Sequence, residues 1–468
     1  GLNVNSVTLA SNANLAISTG QILTLSSGGI LARLGTASTI SGGVINQINT
    51  AAPFNIWTVG DLTISSTLNG GNGQTNAAIG FVKAGAGTLT LAPATSAVTG
   101  LSGVGINSMS GQFVINGGTV KLGSGVKNAI QANNFLALNN GTLDLNGNSQ
   151  QILGLFTDSF VANAGGIITS SSGTGNLVIN ENSNRNFAGS IQGDVKFTRS
   201  GNNTSTLYSD QTYTGSTLIN GGAITLRDSA ALSGTASVDL NFATLSLDNN
   251  AGLNDMTNRL NDSAAITLRG STLTVQGRVQ TASSEVLGAL TVDSGFNVIN
   301  PLVGGTGVNS IDVSLASLSR SVGSAATLIV QGTNLGTIGS NSRVTVGTLN
   351  GVTTTNPTYA RNGSGLTENL VGAWAINGND FLSYIPGLGF APLNQAGAAQ
   401  YDLTNTFVGS ASTDNVRLTA TTSVPNGGSL VNAVSMSGSN IALNFATGTD
   451  TLNIVSGGLI GPNNNQSI

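Results

Sequence analysis

Asp144-Leu145-Asn146-Gly147-Asn148 sets side-chain oxygens at alternate positions, the spacing by which calcium loops gather their ligands. No bidentate Glu follows to close such a loop; the chain has only Glu181, Glu285 and Glu368. A polar corner after a strand accounts for the segment more simply, and for Asn377-Gly378-Asn379-Asp380 as well. Glycoside hydrolysis needs two carboxyl groups held at a set separation. Asp293 and Asp312, 19 residues apart, are the pair that neighbouring strands would bring together, since the 16 Asp are otherwise scattered singly. Arg227-Asp228, and Arg269 with Asp262, read as surface ion pairs worth about 0–1 kcal/mol. Arg259, Arg269 and Arg278 read as a solvated edge. Trp57 and Trp374 are the only tryptophans, and Trp fills a core or interface more often than it stacks on a sugar. Asn202-Asn203-Thr204 and Asn362-Gly363-Ser364 fit the glycan-acceptor pattern.

The residues that are missing exclude more. With no His there is no imidazole base, no Ser-His-Asp triad and no imidazole metal ligand. With no Cys there is no disulfide, thiolate nucleophile or thiolate zinc site. The 15 Lys and Arg are spread thinly and form no basic footprint for nucleic acid. No apolar run approaches the ~18 residues of a membrane-spanning helix. No metal or other cofactor is expected. The net charge of −4 and the 39% apolar content are not a disordered profile. Gly1 opens directly into strand-like sequence without a leader, which reads as a processed mature form or a piece of something longer.

The elements that position these residues are short strands. A phrase of turn residue, Ser/Thr, aliphatic, any residue, aliphatic recurs: Gly87–Leu91, Gly118–Leu122, Gly141–Leu145, Ala243–Leu247, Ser271–Val275, Ala326–Val330 and Thr451–Val455 among others. Alternation over four to six residues is a strand with one buried face. The copies end in Gly, Asn or Asp, which tolerate the backbone of a corner. Thr119 to Thr142 and Thr244 to Thr267 are each 23 residues, Thr272 to Thr291 is 19 and Thr88 to Thr119 is 31. Asn116, Asn139, Asn140, Asn180, Asn220, Asn249 and Asn250 fall at corners, where stacked amides form ladders. The one weak helical stretch is Asn254–Leu260. Strand-and-corner units near two dozen residues describe the coils of a β-solenoid, which share one narrow aliphatic core. About 20 coils at a strand spacing of ~4.8 Å would give a rod on the order of 100 Å long.

The two ends echo each other. Val4-Asn5-Ser6-Val7 matches Val431-Asn432-Ala433-Val434, and Leu25–Leu31 matches Ile454–Ile460, at offsets of 427 and 429 residues. This implies either a super-repeat within a longer polypeptide or two ends built so that one continues the other. Val4, Val7 and Leu9 at one end, and Leu452, Ile454, Leu459 and Ile460 at the other, are the candidate end-to-end assembly residues.

Lys83-Ala84-Gly85-Ala86-Gly87-Thr88-Leu89-Thr90-Leu91, followed by Phe113–Leu122 with its Asn116-Gly117-Gly118 turn, resembles the autotransporter-associated β-strand repeat. So does Phe197–Leu226, with Tyr213-Thr214-Gly215 and Asn220-Gly221-Gly222. The first copy departs from the pattern, with Ala97-Val98-Thr99-Gly100 where the aromatic-Thr-Gly turn would fall. Arg259–Asp262, Glu285–Leu290, Arg320–Gly332 and Val371–Ala375 running on to Phe381 are similar to very large bacterial surface proteins carrying these repeats. The resemblance implies a secreted, right-handed β-helical surface protein of no known enzymatic activity.

The fold expected is all-β: a right-handed parallel β-helix over 1–370, an aromatic, Pro/Gly-rich interruption over 371–395, and resumed coils over 396–468 that resemble the first ones. Trp374, Phe381, Tyr384 and Phe390 in the interruption are the candidate contact or packing residues. The function expected is structural and not enzymatic: an extracellular or cell-surface bacterial rod forming a filament, stalk or adhesin. Its expected partners are further copies of itself, as a head-to-tail polymer or tandem repeats, and surface glycans or other cells. Nucleic acid and a membrane span are not expected. The competing reading is a β-helical enzyme that binds or cleaves polysaccharide; an outer-membrane barrel fits poorly, because it needs longer strands and aromatic girdles.

Overall fold

The computed structural model describes residues 1–48, 53–70, 79–93, 108–109, 111–305, 307, 309–339, 341–354, 366–395, 400–461 and 463–468. The turn at Ala97–Gly100 and the acceptor sequence at Asn362 lie outside them. The described residues are all-β; none is helical, Asn254–Leu260 included, and none belongs to a helix long and apolar enough to cross a membrane. The chain forms two compact units, Gly1–Asp239 with Arg259–Asn261, and Leu240–Asn258 with Asp262–Ile468.

In the first unit every strand pairing described is parallel. Strands Asn14–Ala16, Ser38–Ser41, Leu62–Ile64, Thr88–Leu91, Thr119–Leu122, Thr142–Asp144, Ile167–Thr169 and Ser190–Ile191 follow one another across one sheet. Alternation places every second side chain inside, so paired positions form columns. Leu62, Leu89, Val120, Leu143, Ile168 and Ile191 are one such column, each directly opposite the next and fully buried or nearly so. A second sheet carries an aromatic column of Phe54, Phe81 and Phe113, with the last two rings stacked 4.1 Å apart. Thr88 pairs with Thr119, and Thr119 with Thr142, so these recurring phrases stack in register.

In the second unit, Thr244–Asp248, Thr272–Gln276, Phe296–Leu302 and Thr327–Val330 stack in parallel, aligning Leu245, Leu273, Ile299 and Val330. Here two of the sequence spacings link strands of different sheets. Thr244 pairs with Thr272, not Thr267, while Thr267 pairs with Thr291 in another sheet. Two phrase copies fall within one 28-residue interval, so counting copies halved the true stacking distance.

The stretch 371–395 interrupts the parallel order inside this unit. Ala375–Asn377 still joins the parallel sheet, but Asp380–Ile385 and Gly389–Pro392 turn back antiparallel. Parallel pairing resumes over Leu403–Thr404, Asn415–Leu418, Ser429–Met436 and Leu452–Ile460.

Candidate functional site

The carboxylates do not assemble a catalytic pair. Asp312 lies opposite Ser284, whereas Asp293 sits nine residues further along that strand, on the order of 30 Å away. Asp293 accepts from Arg269 at 2.8 Å and from Ser321 Oγ at 2.6 Å, and Asp312 is held by Arg343. Hydrogen bonds from Ser321 and Arg269 keep the Asp293 carboxyl below its ordinary range. The Asp144 loop is occupied from within: Oδ1 accepts from the N–H groups of Asn146 and Ser171, each at 2.9 Å, and Oδ2 from Ser171 Oγ at 2.6 Å. Asp380 accepts from Tyr401 Oη and, at 3.1 Å, from the N–H of Asn394; burial pushes its carboxyl up. Among the described residues no group of three or more acidic side chains is placed to hold a metal ion.

The arginines divide differently from the expected edge. Arg259 is fully buried, with its guanidinium donating to the carbonyls of Ala230 at 2.7 Å and Asp228 at 3.2 Å. A guanidinium carries its own fork of donors, so it can close a corner where backbone carbonyls converge. Arg227 and Asp228 do pair, at 3.0 Å. Asn139 donates to Asn116 at 3.2 Å, a side-chain ladder at a corner. Asn202 is exposed, and Trp57 projects outward, 54% exposed.

The aromatic interruption is a packing pad. Phe381 is buried with Leu370, Leu393 and Ala433, against Ile376, Tyr401 and Ile460. Tyr384 and Phe390 are buried edge to face, 5.4 Å apart, and Tyr384 Oη donates to the carbonyl of Val346 at 3.2 Å. Trp374 is half-buried beneath the Arg320 guanidinium, 5.9 Å from the ring centre.

Two further cations were present in the quoted motifs without being recognised as internal. Lys83 Nζ donates to the carbonyls of Gly85 at 3.0 Å and Gly117 at 2.8 Å. Arg199 Nη1 donates to Gly201 at 2.8 Å and Gly221 at 2.5 Å. Both side chains are fully buried. In each case a cation reaches the Gly two residues on and the first Gly of the next Asn-Gly-Gly turn. The signal was there: a lone basic residue two positions after Phe81 or Phe197, in a chain with only 15 of them.

The two ends are built alike in detail. Leu2–Leu9 pairs with Ile22–Ala32, matching Val4 to Leu25, then slipping so that Ser6 meets Gly29 and Val7 meets Ile30. Ser429–Met436 pairs with Leu452–Ile460, matching Val431 to Ile454, then slipping so that Ala433 meets Gly458 and Val434 meets Leu459. Ser27 Oγ donates to the carbonyl of Asn5 at 2.7 Å, and Ser456 Oγ to that of Asn432 at 2.6 Å. The left-handed residues correspond, Gly28 at φ 70° with Gly457 at 72°, and Asn12 at 57° with Asn440 at 54°. The Asn12 N–H donates to Thr36 at 3.0 Å, and the Asn440 N–H to Asn464 at 3.2 Å, both pairs 428 residues apart.

Among the described residues, the outer side of Leu452–Ile460 carries no strand, whereas Ile22–Ala32 is flanked there by Val44–Gln47 and Phe54–Thr58. Leu452 and Ile454 are half-buried against Val416, Val431 and Val434, while Val455 and Leu459 are 59% and 46% exposed. At the other end Leu9 is buried, Val4 and Val7 are half-buried and Leu2 is 62% exposed. A recess of about 280 Å³ there is lined by Leu2, Leu15, Ile17, Ile22 and Leu23. Comparison with protein-family models, with curated proteins and with solved structures returns no match to this chain.

Proposed function

We propose that this chain is a right-handed parallel β-helix of the autotransporter-associated kind, and that it serves as a structural rod on a bacterial surface. In this reading copies add head to tail and build a filament, stalk or adhesin. One observation carries it: the first and last strand pairs share register, slip and side-chain hydrogen bonds, 427 to 429 residues apart. An end that reproduces the other end supplies the same spacing of backbone groups and aliphatic side chains to whatever stacks on it. The edge strands Leu2–Leu9 and Leu452–Ile460 contain no charged residue. Natural sheets block edges they keep apart with Lys, Pro or inward charges. Head-to-tail contacts that do not close on themselves grow into filaments. The absence of Cys and the uncharged Ser, Thr and Asn surface suit a rod stabilised by backbone ladders instead of disulfides.

Electron microscopy and light scattering of the purified chain test the reading. Concentration-dependent filaments of uniform width are the expected outcome. Short monodisperse particles at all concentrations would overturn it.

A further inference from the structure

A cleft in the first unit gathers ligand-binding groups that the structural role does not use. It has a volume of about 360 Å³ and is lined by Phe156, Thr157, Asp158, Phe160, Asn184, Arg185 and Asn186. Arg185 forms one wall. Its guanidinium lies over Phe135, 4.2 Å from the ring centre, and over Phe156, 5.0 Å away. Two ring faces hold the fork in place, yet among the described residues it makes no hydrogen bond or ion pair, and its Nε is buried without a partner. The buried Glu181 carboxyl feels this charge but does not contact it.

The other walls are equally under-used. Asn184 accepts from the N–H of Thr204 at 2.9 Å and Asn186 from Tyr208 Oη at 3.3 Å, which leaves both amide NH₂ groups unengaged among the described residues. Asp158 Oδ2 accepts from Asn139 at 2.7 Å, and Oδ1 is open. Phe160 is 53% exposed and stacks on Tyr208 at 6.0 Å. An exposed ring beside a held guanidinium stands out in a chain with 4% aromatic residues.

We propose that this cleft binds a sugar residue carrying a carboxylate, as in a uronic-acid polysaccharide. A planar guanidinium matches a carboxylate through two parallel hydrogen bonds, and holding it flat beforehand lowers the entropic cost of binding. The two Asn amides donate to ring hydroxyls, and the open Asp158 oxygen accepts from one. The exposed Phe160 ring covers the C–H face of the sugar. The volume matches the small end of ligand pockets, one or two sugar rings.

Titration calorimetry with trigalacturonate as probe, and maltotriose as the neutral control, tests this on the full chain. Trigalacturonate should bind with a Kd below about 1 mM, and maltotriose at least 10-fold more weakly. Arg185→Gln and Arg185→Lys should each lose 10-fold or more, the second because it keeps the charge but not the fork. Phe160→Ala should weaken both sugars alike. Melting curves of the variants confirm that the fold persists. The proposal is overturned if the full chain does not bind trigalacturonate, if it prefers maltotriose, or if folded Arg185→Gln binds as well as the parent.

Discussion

Lys83 Nζ lies 2.8 Å from the carbonyl oxygen of Gly117, inside the stack and 34 residues away along the chain. The same ammonium donates to Ala84 and Gly85, so one side chain satisfies carbonyls from two successive corners. Arg199 does so for Gly201 and Gly221. Removing a donor from buried acceptors costs their desolvation, about 1–3 kcal/mol each. Lys83→Met and Arg199→Met should therefore each destabilise the chain by about 2–4 kcal/mol, read as a lower urea midpoint. Lys121→Met, at a partly exposed strand position, should stay within about 0.5 kcal/mol.

The interior charge also sets a pH dependence. Burial pushes the Glu181 carboxyl up to about 7, against the Leu155 N–H, Arg199, Ser205 and Arg185, which pull it down. Between about 4.5 and about 7 the folded state therefore holds a proton that the unfolded state releases. Stability from this group is full below that window and is lost as pH rises through it, by about 3 kcal/mol. Burial pulls the Lys83 ammonium down to about 8, against the Asp61 carboxylate. Between about 8 and 10.5 the unfolded state holds the extra proton, so stability rises with pH there. Denaturation of the parent minus Glu181→Gln, followed across pH, should change over 4.5–7 and be flat above. A flat difference throughout would show that Glu181 is ionised in the fold.

Assembly should respond to charge on the exposed edge. Val455 and Leu459 project from the open strand Leu452–Ile460 and touch little within the chain. Val455→Lys and Leu459→Lys should leave the melting temperature of the dispersed chain nearly unchanged, since exposed substitutions are usually worth under about 0.5 kcal/mol. Sedimentation should show filaments lost in the double variant, because stacking would bury two unpaired ammonium groups. Leu34→Lys, at an exposed position outside the edge strands, is the control and should still assemble.

Much of this was legible in the residues. Alternation in Thr119–Leu122 and Thr142–Asp144 is read directly as strands with one buried face, and their 23-residue spacing is the pairing observed. The echo between Val4–Val7 and Val431–Val434 marked the two ends that share geometry. Pairing failed at Thr244 and Thr267, because a short phrase does not say which sheet it belongs to, and consecutive copies there alternate between two. Arg259 was misplaced because composition treats Arg as a surface residue, whereas a corner rich in carbonyls accepts a buried guanidinium. The Arg185 cleft joins Phe135, Phe156 and Arg185 from three strands, a closeness that no linear pattern encodes.

The equivalent glycines Gly28 and Gly457 provide a further test, since their backbones agree and their surroundings do not. Both have φ near +70°, so an L side chain at either costs about 1 kcal/mol of left-handed strain. A β-carbon at position 28 would also lie 2.5 Å from the carbonyl oxygen of Pro53 and 3.1 Å from Gln47 Cγ. At position 457 it would meet nothing within 4 Å. Gly28→Ala should therefore raise amide exchange through Ile22–Ala32 and its neighbours Val44–Gln47 and Phe54–Thr58, by 10-fold or more beyond what Gly457→Ala does to Leu452–Ile460. Each 10-fold corresponds to about 1.4 kcal/mol, within the about 1–3 kcal/mol of a packing clash. If filaments form as proposed, Gly457→Ala should become the more damaging change within them, because a stacked copy then fills the space that is open in the single chain.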